Sequence, residues 1–109
     1  MAPRDYVRRL ALAQPEAAEA DHHGIPSFRV AGKNFCTIHL DRRPRMMVKL
    51  DPEDQQNLAA AHPGVIEAVL GYWGRKGSTF VAYEAAPTDL IETLLRMAWA
   101  NVAPRRLRR

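Results

Sequence analysis

The stretch from Pro26 to Leu50, PSFRVAGKNFCTIHLDRRPRMMVKL, leaves this chain few ways to fold. In its last run Met46, Val48 and Leu50 fall on one side, and Arg45, Met47 and Lys49 on the other. A period of two belongs to a strand with one buried face. The first run repeats it, with Phe28 and Val30 set against Ser27 and Arg29. Turn signals separate the runs at Ala31-Gly32-Lys33 and at Asp41-Arg42-Arg43-Pro44. Gly32 can take the positive φ of a tight hairpin. Pro44 has no amide donor and suits a turn better than a ladder. The stretch therefore reads as a meander with an apolar face for a core and a basic face for water.

The other half of that core must come from flanking segments. Residues 3–13 supply a first helix: Pro3 suits its first turn, and Val7, Leu10 and Ala11 keep the spacing of a buried stripe. Gln14-Pro15 ends it. Residues 16–22, EAAEADH, are either a short first strand or a helical extension, since alanine and glutamate favour helix. After the meander, Asp51-Pro52-Glu53-Asp54 is a strong helix start, with a cap, a proline at the first helical position and acids at the positive end of the dipole. That helix runs through Leu58 and Ala61 to His62-Pro63-Gly64. Residues 65–70 are short and apolar, and GYWGRKGS reads as a loop or wide hairpin tip. Residues 79–84, TFVAYE, read as a strand. A last helix starts around Pro87 to Asp89, carries Leu90, Ile91, Leu94, Leu95, Ala98 and Val102 as its apolar stripe, and ends at Pro104. The fold class is α+β: an antiparallel sheet with the first and last helices packed on one face.

At 109 residues the chain is expected to be one domain, 1–104, with a frayed basic tail at 105–109. A composition of 47% hydrophobic and 26% charged residues suits a globular protein and not a disordered one. No apolar run approaches the roughly 20 residues of a membrane span. The start, MAPRDYVRRL, lacks the apolar core of a signal peptide. Cys36 is the single cysteine, which excludes an internal disulfide and is expected of a cytoplasmic protein.

The net charge of +4 is unevenly placed. Residues 29–49 carry a local +5 and the tail after Pro104 another +4, while residues 50–70 carry −4. Segregation of this kind points to an anionic partner. Basic residues on an edge strand also serve simply to block aggregation.

Several motifs occur in a telling order: G-I-P-S-F-R-V-x-G-K-x-F in the meander, then K-L-D-P-E, H-P-G-V, G-Y-W-G-R-K-G-S, and a final helix ending in A-W-x-x-V-A-P-R-R-L. In this order and spacing the chain resembles the MmcQ/YjbR family over nearly its whole length. Pro26, Phe28, Gly32, Lys33 and Phe35, the run Lys49 to Pro52, Trp99, and Ala103 to Leu107 carry the resemblance. It implies a fold similar to the bacterial frataxin homologue CyaY. It also implies DNA binding through a pair of wing-like β hairpins, as members of the family are commonly described. The last helix departs from the family's acidic-Pro start and begins Ala86-Pro87, which removes the usual cap.

The candidate nucleic-acid surface follows from both readings. Arg29, Arg45 and Lys49 share outward parity, Lys33, Arg42 and Arg43 sit in the adjacent turns, and Arg75 and Lys76 tip the second loop beside Tyr72 and Trp73. Basic side chains neutralise phosphates, and glycines let a backbone approach them. Trp73 can stack on a base or wedge into a minor groove. The plainer reading is a solvated sheet face, with Trp73 covering the core. No recognition helix of the helix-turn-helix kind is present in the pattern. The alternative function is a protein-interaction module whose partner is acidic.

Other chemistry finds no spacing to support it. His22, His23, His39, His62 and Cys36 offer soft ligands but no zinc-site pattern, and adjacent His22 and His23 would point to opposite faces of a strand. An iron site of the frataxin kind needs an acidic ridge, whereas Asp5, Glu16, Glu19 and Asp21 are interleaved with Arg8 and Arg9. Cys36, amid Phe35, Thr37 and Ile38, is expected to be a buried structural thiol. No metal, cofactor or enzymatic activity is expected.

Overall fold

The meander forms as its alternation requires. In the computed structural model, which describes residues 3–39 and 44–107, β2 (Ile25–Val30), β3 (Lys33–His39) and β4 (Arg45–Lys49) pair antiparallel. Cys36 lies opposite Val48, and Ile38 opposite Met46. In β4 Met46 and Val48 are buried and their odd-numbered neighbours are not. The β2–β3 turn is the two residues Ala31 and Gly32, with φ of 52° and 78°. Both values are positive, as a type I′ hairpin demands.

Residues 18–22 settle as a strand. β1 (Ala18–His22) pairs with β2 from Ala18 opposite Arg29 to His22 opposite Ile25. Helix propensity loses here to ladder hydrogen bonds and to a tie from α1 (Arg4–Leu12), whose Arg8 Nη2 lies 2.8 Å from Glu19 Oε1. The β1–β2 turn is again two residues with positive φ, His23 at 54° and Gly24 at 82°.

After β4 the chain leaves the sheet through α2 (Pro52–Ala61), returns as β5 (Ile66–Ala68), turns through a single helical turn, α3 (Tyr72–Arg75), and comes back as β6 (Ser78–Val81). The sheet order is β1-β2-β3-β4-β6-β5, all neighbours antiparallel, so β6 slots between β4 and the edge strand β5. The expected strand over 79–84 stops at Val81. Residues 83–85 form a 3₁₀ turn that buries Tyr83. The expected loop or wide hairpin tip at 71–78 is the tip of the antiparallel β5–β6 hairpin, and it holds the helical turn α3.

The Asp51 cap is made as expected: its Oδ2 accepts from the Glu53 amide at 3.1 Å. The last helix, α4 (Thr88–Val102), starts after Pro87 without a side-chain cap. Its Ile91, Leu94, Leu95 and Ala98 pack with Val7 and Ala11 of α1 against Phe28, Val30, Cys36, Ile38, Met46, Val48 and Val81 of the sheet. One face of the sheet is thus the core. The tail is tied down further than expected. Residues 105–107 make a 3₁₀ turn, Leu107 packs on the core, and Arg106 Nη1 lies 3.6 Å from Glu16 Oε2.

Candidate nucleic-acid interface

The face opposite α1 and α4 carries the alternate residues of each strand. One row crosses the whole sheet as successive Cα partners: Ala20, Ser27, Thr37, Met47, Phe80 and Glu67. Arg29 and Asn34, and Lys49 and Ser78, are partner pairs on one side of that row, and His39 and Arg45 on the other. This open face holds a cavity of about 420 Å³, whose lining includes Arg29, Thr37, Met47, Lys49, Trp73 and Phe80. The volume falls within the roughly 300–1,000 Å³ of small-ligand sites. Among the described residues, no carboxylate lines it.

Two buried hydroxyls lie on this face, and of them Thr37 lines the cavity. Ser27 and Thr37 are 0% and 3% exposed although they point away from the core. Ser27 Oγ donates to the Ala20 carbonyl at 3.1 Å, and Thr37 Oγ1 lies 2.8 Å from His39 Nε2. Larger side chains share this face. The Arg45 guanidinium lies 4.4 Å from the Phe80 ring centroid, and the His39 ring meets Phe80 edge-on at 5.5 Å. Lys49 Nζ lies 5.4 Å from the centroid of Trp73. Both cations sit over aromatic faces, where the ring quadrupole holds them. Arg29 differs. Its Nε is buried and finds no acceptor among the described residues.

Trp73 stands at the rim, 61% exposed, beside Tyr72 at 55%. It does not cover the core. α3 holds it there by packing too close for side chains. A Cβ on Gly74 would run into the Val69 carbonyl oxygen, and one on Gly77, at φ 111°, into that of Leu50. Gly74 and Gly77 thus serve the protein's own backbone contacts, while Gly71 faces open space. Gln55 of α2 completes the corner. Its buried Nε2 donates at 3.0 Å to Gly74 O, Ser78 O and Thr79 Oγ1.

The structure therefore brings together Arg29, Lys49 and Trp73 around one cavity, with Arg45 behind Phe80. Lys33 opens β3 at the exposed hairpin. Arg75 and Lys76 lie outside the cavity lining: Arg75 borders a separate groove with Gln55, and Lys76 Nζ lies 5.5 Å from the Tyr72 ring. Arg42 and Arg43 fall outside the described residues. Phe80 and Thr37 also line the cavity and were not singled out from the sequence, and His39, which lines it too, was named there only as a soft metal ligand. Their signal was the parity that placed Arg45 and Lys49, applied to β3 and β6.

Cys36 is buried as expected, and burial pushes its thiol well above the ordinary cysteine range. Among the described residues, no group of three or more His, Cys, Asp or Glu side chains could hold a metal ion, and no helix is long and apolar enough to cross a membrane.

The family model described as YjbR matches residues 12–101. Among solved structures, the chain is similar to protein DR2400 of Deinococcus radiodurans, which carries the domain DUF419. The two are 22% identical with a TM-score of 0.80, over 99% of this chain and 86% of that one. At that identity the likeness is one of fold. No curated protein matches this chain significantly.

Proposed function

The chain belongs to the YjbR family, and on that footing we propose that it binds nucleic acid through the basic open face of its sheet. Arg29, Arg45 and Lys49 take phosphates there, and Lys33, Arg75, Lys76 and, from the sequence, Arg42 and Arg43 extend the positive field around it. The observation that carries this reading is the cavity: two cations of the open face and an exposed tryptophan share one lining that no described carboxylate enters. Glu67 is the acidic neighbour, one strand beyond Phe80, and it lies outside that lining. The role is binding and not catalysis, and the one thiol, buried and held protonated, suits a reducing cytoplasm.

Each neutralised phosphate adds about 0.7–0.9 to the slope of log affinity against log salt. The variant Arg29→Gln plus Lys49→Gln should therefore flatten that slope by about two of these increments, while circular dichroism shows the fold intact. An unchanged slope would remove both residues from the interface.

A protein partner is the second reading. Leu70, 96% exposed, adjoins Tyr72 and Trp73 at the same corner and makes an apolar patch next to the cations. An acidic protein docked there would show a shallow salt dependence, because no condensed counterions are released.

A further inference from the structure

We infer that the open-face cavity takes an unpaired nucleotide presented by a single strand. This rests on the nucleic-acid reading above and narrows it. A duplex offers phosphates on a convex surface, with its bases stacked and paired inside. A base reaches a pocket from a duplex only if it is flipped out, at the cost of unstacking and unpairing. The face described here is concave, and its cavity of about 420 Å³ has room for more than a phosphate.

Its chemistry matches the parts of a nucleotide. Trp73, 61% exposed at the rim, offers a flat ring on which any base can stack. Met47 and Phe80 give apolar walls, and Thr37, Asn34 and Ser78 give short polar groups for a base edge or a sugar hydroxyl. Arg29 lies two strands from Lys49, a backbone separation of about 10 Å. The two cations therefore bracket the cavity. Arg29 and Lys49 both line the cavity, so the ends of their side chains can take the phosphates on either side of the bound base. Sheet faces that bear aromatic and basic side chains are a general solution for single strands, because stacking and phosphate contacts run side by side along the strand.

The test compares a short labelled single strand, the same sequence as a duplex, and an unlabelled mononucleotide as competitor, with the full chain and with Trp73→Ala and Trp73→Phe. Trp73 is 61% exposed, and circular dichroism checks that both variants keep the fold. The single strand should bind roughly tenfold or more tighter than the duplex. Trp73→Ala should lose about tenfold for the strand and clearly less for the duplex, and Trp73→Phe should recover most of the loss. Equal affinity for strand and duplex, or an equal effect of Trp73→Ala on both, would overturn the inference while the nucleic-acid reading stands. Displacement by the mononucleotide at concentrations equal to the strand would overturn the strand as its source. No binding of either polymer at low salt would overturn both readings together.

Discussion

The side-chain amide of Gln55 reaches the carbonyl oxygen of Gly74 at 3.0 Å, and this bond fixes the corner from which Trp73 projects. The same Nε2 also meets Ser78 O and Thr79 Oγ1 at 3.0 Å, so the amide must present its nitrogen to this cluster of acceptors. Gln55 is the only fully buried residue of α2. A polar side chain thus does what an apolar stripe does in α4.

Gln55→Ala leaves two backbone carbonyls without a side-chain donor. The expected cost is about 1–3 kcal/mol, read as a lower urea midpoint. Gln55→Glu should cost at least as much, because it sets a carboxylate against carbonyl oxygens. Strand binding should fall in both variants as Trp73 loses its fixed position.

Gly74→Ala and Gly77→Ala drive a methyl group into backbone oxygens of Val69 and Leu50, which cannot rotate away. Each should destabilise by more than about 2 kcal/mol. Gly24→Ala, which meets no atom within 4 Å, is limited to the strain of its positive φ, about 1–2 kcal/mol. Thermal unfolding of the three variants would show the difference.

Ala31 occupies φ 52° in a two-residue hairpin without being glycine or asparagine. Ala31→Asn should raise stability by about 0.5–1 kcal/mol, since asparagine tolerates the left-handed region better. A fall in melting temperature would contradict the turn assigned here.

Cys36 sets a pH dependence. Burial raises its folded pKa, so the native state keeps the proton that an unfolded cysteine releases near pH ~8.5. The unfolded state then binds fewer protons, and stability should fall as pH rises above about 8.5. Cys36→Ala should lose that alkaline decline relative to the parent. A thiol reagent should react with the native parent only at the rate of unfolding.

Much of this was legible from residue alternation and caps. Met46 and Val48 against Arg45 and Lys49 placed β4 and its faces, and Asp51-Pro52 placed the start of α2. Three features were not. β1 is spelled in helix-forming residues, and only its pairing with β2 makes it a strand. The insertion of β6 between β4 and β5 is a long-range choice that no local pattern encodes. The stretch 71–78 reads from its glycines as a loop or wide hairpin tip, which it is, but the helical turn at 72–75, with Gly74 packed against Val69, has no signal there. Within the site, parity located Arg29, Arg45 and Lys49 correctly. It could not show that Arg29 and Lys49 share a cavity with Trp73, because that depends on where α3 folds back.

The central claim is that a nucleic-acid site lies on the folded sheet and not on stray positive charge. Its most direct test is a titration of a short labelled single strand at several salt concentrations, with the parent and with Arg105→Gln, Arg108→Gln, Arg109→Gln, which removes three of the four tail charges and keeps Arg106 and Leu107. We predict that this variant still binds, with a steep salt slope and only a modest loss of affinity. Binding that disappears with the tail charges would contradict the account.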